Sequence, residues 1–562
     1  MTILEAASLA GIEIPAMCHN SDAGHFASCM VCIVRERNGT ALIPSCSARV
    51  REGMDIVTGD RDIEEARKTA LELLLSEHTG DCEAPCRIAC PANMDIPLMN
   101  SFLAGGMPDR ALEVVMRDIA MPSVLGRICP APCEGACHRK NIDSPVSVCV
   151  LKRFAGDAGH PDIAPAPASS TSSATDNNKK IADSSSHPAG RTSPRPVGGK
   201  EGTDISASRA GHLTAPPAGG KTVAIIGAGI AGLSAAYYLQ KAGLACTIYD
   251  NNPEPGGALR YEIDDERLDR ETLDRETGMI IGTGARFVPS AAIDKNRFIE
   301  LVYSSDAVVV ATGNLSAETA DWGLDHNGKQ LLVNKNSLQT SIPNVFAAGN
   351  ITRSSKLAIR SAAQGKEVAF SIMQFLGGHE PIGEPKLFNS RVGRLRDTEY
   401  GVYMTNISRE KRIGPSGKDG GFTPEEVVRE ASRCMHCECL KPDSCTLRIL
   451  AGRYGASQRR FGFEERKPVR RSFDHEHLVY ESGKCIKCGI CVRLSAKNGE
   501  DPGLTFIGRG YDVEIAVPFE ESLDRALKNA GPEIARACPT GALSMKPDKT
   551  GMSKPGPLKT DE

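Results

Sequence analysis

Only one tryptophan occurs in 562 residues, and aromatic residues make up just 5% of the chain. Neither sign of charge is in surplus, since 67 Lys and Arg stand against 70 Asp and Glu for a formal net charge of −3. Without a basic excess, composition gives no argument for a nucleic-acid partner. The stretch from Met1 to Cys18 carries Glu5 and Glu13 and lacks a basic n-region, so secretion is not expected. The longest apolar stretch, Val223 to Leu239, is punctuated by glycine, and no transmembrane segment is expected. What is plentiful is cysteine, with 20 residues. In a chain expected to stay in the cytoplasm, that many thiols read as metal or redox chemistry rather than disulfides.

At about 150 residues per domain, the length suggests three or four units. Residues 161–220 are rich in Pro, Ser, Gly and Ala with hardly a large apolar side chain, and read as a flexible linker. Residues 546–562, polar and rich in Pro, Gly and Lys, read as a flexible tail. Eleven cysteines precede the linker, Cys246 lies in the unit after it, and eight follow residue 430.

Cys18, Cys29, Cys32 and Cys46 follow a C-x10-C-x2-C-x13-C spacing. Thiolates are soft ligands suited to zinc and to iron–sulfur centres. A zinc ribbon usually has two CxxC pairs, whereas this group has one pair behind a long loop. A loop of that kind follows plant-type ferredoxin logic, with a longer first interval. The segments TILEAASLAGIEIPAMC and SCSARVREGM resemble the ferredoxin domain of the large iron–sulfur subunit of respiratory complex I and its hydrogenase relatives. The resemblance implies one [2Fe-2S] cluster, with zinc as the alternative. That domain normally opens with a β-hairpin ahead of TILEAA, so the small sheet is expected to be incomplete or completed by a partner.

A helix follows, with Asp62 and Glu65 as a capping box and Ile63, Ala66, Ala70, Leu73 and Leu74 at helical spacing. It delivers His78 just before C82-x3-C86-x3-C90-P, which is answered by C129-x3-C133-x3-C137 and Cys149. Two [4Fe-4S] cubanes need eight ligands and this group holds seven thiols. His78 is the candidate for the eighth, because an imidazole can replace a thiolate; a solvated helix end is its alternative. The segments CRIACPANMDIPLMNSFLAGG and GRICPAPCEGACHRKNIDSPVSVCVLKRF resemble the N-terminal domain of the glutamate synthase small-subunit family, shared with dihydropyrimidine dehydrogenase and bifurcating transhydrogenases. The resemblance implies one cubane on His78, Cys82, Cys86 and Cys137 and another on Cys90, Cys129, Cys133 and Cys149.

The segment KTVAIIGAGIAGL reads as a strand, then Gly227, Gly229 and Gly232 in G-x-G-x-x-G, then a helix. The glycines allow a tight turn and close pyrophosphate approach, and the helix N-terminus faces the phosphates. A second strand ends at Asp250, placed for ribose hydroxyls. Cys246 on that strand reads as a buried core thiol. The segments NNPEPGGALRY (with Gly256, Gly257 and Arg260), AVVVATG (ending at Gly313) and IPNVFAAGN (with Gly349 and Asn350) resemble the FAD segments of the same family. The resemblance implies FAD, with Asn350 where the family usually has Asp. Those enzymes insert a second Rossmann unit between the last two segments; here Gly313 and Ala347 are too close in sequence for one. The chain is therefore expected to bind FAD without its own NAD(P)H site.

Cys434, Cys437, Cys439 and Cys445 lie within one short stretch and suit one cubane, with zinc as the alternative; His436 reads as a neighbour rather than a ligand. Cys485, Cys488 and Cys491, closed by Cys538-Pro539, form a bacterial ferredoxin half-motif. Ser495 stands where a second cluster's cysteine would be, so one cubane is expected. The basic run 453–471 reads as a solvated face, or as a docking patch for an acidic partner.

The expected fold class is α/β multidomain. Its parts are a ferredoxin-like [2Fe-2S] domain (1–60), an α-helical domain with two [4Fe-4S] clusters (61–160), the linker (161–220) and a truncated Rossmann-type FAD domain (221–390). A connecting segment with one [4Fe-4S] cluster (391–450), a C-terminal ferredoxin-type domain with another (451–545) and the tail (546–562) follow. With one FAD and five clusters, the resemblance points to fused flavin/iron–sulfur proteins of anaerobes. The expectation is an electron-transfer subunit of a cytoplasmic multi-subunit oxidoreductase of hydrogenase, formate dehydrogenase, aldehyde oxidoreductase or bifurcating type. Partner subunits would bind the substrate, NAD(P)H or ferredoxin. The alternatives are a freestanding NAD(P)H- or ferredoxin-dependent oxidoreductase, and a ferredoxin-like wire with a vestigial flavin site.

Overall fold

The computed structural model describes residues 1–24, 27–159, 220–462 and 466–546. Apart from Gly220 and Lys546, the expected linker and tail lie outside the described residues.

Thr2 and Glu5 close a capping box on the first helix, Ile3–Leu9, with Glu5 N donating to Thr2 Oγ1 at 3.2 Å and Thr2 N to Glu5 Oε2 at 2.8 Å. Strands β1 (Ile33–Glu36), β2 (Leu42–Pro44) and β3 (Ile56–Val57) form an antiparallel sheet in the order β2-β1-β3. Ile3, Ala7, Ile14 and Val34 pack beneath it with Cys32 and Cys46.

The helix Arg61–Ser76 starts earlier than its sequence pattern suggested. Asp60, in an extended conformation, is the N-cap and accepts from Ile63 N at 2.9 Å, so Asp62 and Glu65 make no capping box. Its fully buried face is Ile63, Arg67, Leu71, Glu72 and Leu75, while Leu73 is 52% exposed. Two charged residues sit on that face because each finds partners there. Arg67 donates to the carbonyls of Ile33 and Thr58 at 2.8 Å, and Glu72 accepts from Ser457 N and pairs with Arg460.

Six short helices follow: Pro85–Ala89, Ile96–Ala104, Pro108–Met116, Pro122–Ile128, Pro132–Ala136 and Val148–Ala158. The first five carry proline in their first turn, where its fixed φ suits the helix and its missing N–H is not needed. Three of them end on a cysteine with extended backbone: Cys90, Cys129 and Cys137. Cys90 and Cys129 each precede a proline, which disfavours helical conformation in the residue before it and ends the helix there.

Strands β4 (Thr222–Ile226), β5 (Ala245–Tyr249), β6 (Arg286–Val288), β7 (Ala307–Val310) and β8 (Val345–Ala347) form a parallel sheet in the order β6-β5-β4-β7-β8. Its central strand β4 is almost wholly buried, as a sheet covered on both faces requires. The helices Ile230–Lys241 and Ala358–Leu376 cross so closely that a Cβ on Gly365 would collide with the Ala231 carbonyl.

The C-terminal third folds back onto the N-terminal modules. Val427 and Ala431 of the helix Pro424–Ala431 enter the core shared by the six short helices and the Rossmann unit. Leu447, Leu478, Ile490 and Leu494 pack with Met17, Leu71 and Leu75. Strands β9 (Leu478–Tyr480), β10 (Thr505–Ile507), β11 (Glu514–Ala516) and β12 (Leu543–Met545) pair as β9 with β12 and β10 with β11. Much of the described basic run is exposed, as the solvated-face expectation had it, with Arg453, Arg459, Arg460 and Arg470 on the surface, while Arg466 and Arg471 reach the buried carboxylates of Glu399 and Glu481. Arg453 pairs with Glu13, Arg460 with Glu72, Arg466 with Glu399, Arg470 with Glu514 and Arg471 with Glu481. Among the described residues, no helix is long and apolar enough to cross a membrane.

Candidate metal centres and dinucleotide site

Cys18, Cys29, Cys32 and Cys46 are brought together as the spacing suggested, all buried. Cys29 hydrogen-bonds Cys18, which lowers the Cys18 thiol to about 5, assisted by Ser28 N at 3.4 Å. Burial first, then Cys32, pushes Cys46 up to about 12.

Cys90, Cys129, Cys133 and Cys149 form a second set. The hydrogen bond to Cys149 and then burial raise Cys129, and Cys149 also bonds Cys133. The buried Lys152 ammonium stands among all four. Burial opposes its charge, but Cys149, Cys129, Cys90 and Cys133 outweigh that and hold it above its usual value. Nothing in the cysteine spacing marked Lys152; its place one turn after Cys149 on the helix Val148–Ala158 was the available signal.

The other cysteines group differently from their order in sequence. Cys86 and Cys137 line a pocket together with Cys434 and Cys437. Burial, then Cys434, Cys437 and Cys137, raise the Cys86 thiol well above its usual range, and burial, then Cys434, Glu438 and Cys137, do the same for Cys437. Cys439 lies apart from this pocket. Its N–H donates to the Cys82 carbonyl at 3.3 Å, and a Cβ on Gly541 would collide with its Sγ. Cys445 is pushed up to about 12 by burial and then by Cys439, Cys82 and Cys538. Cys82 Sγ is held by Ser390, whose Oγ lies at 3.2 Å and whose N donates at 3.4 Å. This grouping differs from the expected one, in which His78 and Cys82 stand with Cys86 and Cys137, and Cys434 to Cys445 with one another. His78 lies just past the helix Arg61–Ser76; burial lowers it to about 4, and its Nδ1 is buried without a hydrogen-bond partner. His436 Nδ1 faces Glu438 Oε1 at 3.3 Å.

Cys485, Cys488, Cys491 and Cys538 line one pocket. Cys538 ends the helix Gly531–Ala537 ahead of Pro539, as Cys90 and Cys129 end theirs. Ser495 faces away, donating to Val492 O at 2.9 Å and accepting from Leu504 N at 3.1 Å. Among the described residues, no three His, Cys, Asp or Glu side chains converge closely enough to hold one metal ion. Buried and half-buried thiols of two sets line pockets instead, a donor arrangement that fits a cluster.

In the Rossmann unit Gly227 has φ +109°, and a Cβ there would strike the Ala311 carbonyl. A Cβ on Gly232 would strike the Gly227 carbonyl, so helix and strand meet only through glycine. Gly229, N-cap of the helix Ile230–Lys241, has nothing within 4 Å of its Cβ position. That open space above a helix N-terminus is where a pyrophosphate fits. Asp250 accepts from Ala228 N at 2.6 Å, Asn252 N at 2.8 Å and Asn252 Nδ2 at 2.9 Å, leaving one lone pair on Oδ2 for a ribose hydroxyl. Arg260 donates to Pro255 O at 2.7 Å and pairs with Asp274 and Glu254, so its guanidinium braces the loop carrying Gly256 and Gly257. Gly313 and Gly349 follow β7 and β8; Gly349 N donates to Gln364 Oε1 at 2.9 Å, and Asn350 Oδ1 accepts from Ser355 N at 3.1 Å. Cys246 is a buried core thiol, pushed up to about 12 by burial.

Three family models match parts of the chain. Residues 1–61 match the family described as 2Fe-2S iron-sulfur cluster binding domain, residues 63–162 dihydropyrimidine dehydrogenase domain II, 4Fe-4S cluster, and residues 225–287 NAD(P)-binding Rossmann-like domain. The chain thus joins iron–sulfur domains to a Rossmann-like domain. It is similar to NADPH-Fe(3+) oxidoreductase subunit beta of Geobacter sulfurreducens, 32% identical over 41% of this chain and 28% of that one. It is similar too to NADP(+)-dependent formate dehydrogenase subunit beta of Moorella thermoacetica, 31% identical over 50% of this chain and 38% of that one. The glutamate synthase [NADPH] small chain of Bacillus subtilis is 28% identical over 42% of this chain and 40% of its own. The matched part spans well under half of each of these relatives. Among solved structures, an NAD+-reducing [NiFe]-hydrogenase overlaps at 35% identity over 14% of this chain and 32% of its own, with a TM-score of 0.13.

Proposed function

We propose that the chain is an electron-carrying subunit of a multi-subunit oxidoreductase, holding one [2Fe-2S] cluster, four [4Fe-4S] clusters and FAD. The observation that carries this reading is that cysteines far apart in sequence gather in buried and half-buried sets, one of which packs in the core shared with the Rossmann unit. Clusters pass electrons singly and a flavin exchanges one or two, so the two together match one-electron carriers to a two-electron partner. The chain's own residues bury and space the thiols, set cations such as Lys152 beside them and aim a helix N-terminus at a pyrophosphate. His78 would serve as the ligand that completes the thiol count. Two of the relatives named above are beta subunits, which supports a role beside other chains. Substrate and NAD(P)H would then be handled by partner subunits in the cytoplasm.

Anaerobic purification at native expression level, with identification of whatever co-purifies, tests this. A redox-enzyme partner that reduces the chain's flavin is the expected result. NAD(P)H oxidation by the chain alone would favour the freestanding enzyme, and purified chain free of flavin would leave a cluster wire with a vestigial site.

A further inference from the structure

We infer that two cubane sites are shared between the N-terminal helical unit and the C-terminal segment, one on Cys86, Cys137, Cys434 and Cys437, the other on Cys82, Cys439 and Cys445. The inference rests on the iron–sulfur reading above and changes its wiring. Spacing in sequence would put Cys434, Cys437, Cys439 and Cys445 around one cluster. The fold divides them after Cys437. His436, with φ +44°, turns the chain so that Cys434 and Cys437 face the helices Pro85–Ala89 and Pro132–Ala136 across one pocket. Cys439 then hydrogen-bonds back to Cys82 and is tucked under Gly541, against the loop that follows Cys538. Cys445 joins it, because Thr446 N donates to Pro539 O at 2.9 Å and holds the helix Thr446–Arg453 on the same loop. The buried Lys484 lies against Gly80 and Gly541 and so lines the same side as Cys439.

The sharing is anchored by buried ion pairs that link the same two segments. Arg433, fully buried beside Cys434, pairs with Glu430 at 2.8 Å and Asp143 at 3.0 Å and donates to Ser144 O. Arg139 donates to the carbonyls of Arg433 and Ser408. The incomplete site is then the one holding Cys82, and His78, four residues earlier, goes with it. The sites also follow one another in series. Cys18 neighbours Cys488, Cys538 neighbours Cys445, Cys82 lies four residues from Cys86, and Cys86 four from Cys90. The last set adjoins the Rossmann unit, where Glu276 accepts from Ser123 N and Val124 N at the start of the helix that ends at Cys129.

Iron content of paired alanine variants of the full chain, purified anaerobically, decides the wiring. From about 18 iron per chain, Cys86→Ala with Cys434→Ala is expected to leave about 14, since both remove the same cubane. Cys434→Ala with Cys439→Ala is expected to leave about 10, since they remove two. The reverse, about 10 for the first pair and about 14 for the second, overturns the inference while leaving the clusters in place. Wild-type chain with little iron would instead overturn the underlying reading. Single serine variants, whose oxygen can keep a cluster bound, give an independent reading by low-temperature EPR. Cys86→Ser and Cys434→Ser should perturb one common signal and Cys439→Ser a different one. A common signal for Cys434→Ser and Cys439→Ser would contradict the shared sites.

Discussion

At the scale of single residues, the chemistry is set by charges placed where water is absent. Lys152 is buried among four cysteines, and a cluster held there would carry more negative charge reduced than oxidised. A cation several ångströms away in an effective dielectric near 20 is worth about 2 kcal/mol. Lys152→Met is therefore expected to lower the midpoint potential of one cubane by on the order of 50–100 mV. An EPR-monitored redox titration reads this, and an unchanged or raised potential would count against it. Glu276 is the counterpart in the interface with the Rossmann unit. Burial raises its carboxyl to about 7, against the pull of the Val124 and Ser123 amides. An acid whose pKa rises on folding holds its proton more tightly when folded. Its contribution to stability is complete below the ordinary glutamate range and falls as pH climbs towards 7, by on the order of 3 kcal/mol. Unfolding midpoints measured from pH 4.5 to 8 should decline in the wild type by that component, and Glu276→Gln should flatten it. An equal slope in the variant would remove Glu276 as its source.

At the scale of elements, the helices that stop on cysteine were half legible. The C-P steps at Cys90, Cys129 and Cys538 announce both the end of a helix and the residue that ends it, because proline acts on its predecessor locally. The strand, glycine turn and helix of the dinucleotide site were legible for the same reason. The start and buried face of the helix Arg61–Ser76 were not. Arg67 and Glu72 occupy core positions only because Ile33, Thr58, Ser457 and Arg460 meet them there, and no local pattern encodes partners from elsewhere in the chain. Gly229 yields a prediction that separates ligand from fold. Its φ is ordinary and its Cβ space is open, so Gly229→Ala should fold normally and keep its iron. Flavin affinity should fall at least tenfold, about 1.4 kcal/mol, because the methyl group enters the pyrophosphate's space. Fluorescence titration with FAD measures this, and unchanged affinity would argue against a cofactor seated there.

At the scale of the whole molecule, the sequence shows which cysteines belong to cluster motifs but not which share a site. Cys434 lines a pocket with Cys86, far from it in the chain, while Cys439, close to it in the chain, lies against Cys82 and Gly541. Only the return of the helix Pro424–Ala431 onto the short N-terminal helices decides between them, and that contact depends on buried charges. Glu430 is fully buried and accepts from Ser147 N at 2.8 Å and Ile413 N at 2.9 Å besides pairing with Arg433. Glu430→Ala would leave two buried amides unpaired and take from the buried Arg433 guanidinium one of its two carboxylates, at a cost of about 3–5 kcal/mol. The expected outcome in denaturant unfolding is a lower midpoint, accompanied by loss of about four iron from the site holding Cys434. Loss of stability with full iron content would separate the ion pair from the cluster.

The most direct test of the account is the ratio of metal and flavin to protein in the anaerobically purified wild-type chain. Four cubanes and one binuclear cluster require about 18 iron per chain with matching acid-labile sulfide, alongside one FAD. That composition, with zinc absent, is the predicted result. Zinc in place of iron, or iron near the about two atoms of a lone [2Fe-2S] cluster, would contradict the reading of this molecule as a line of electron carriers.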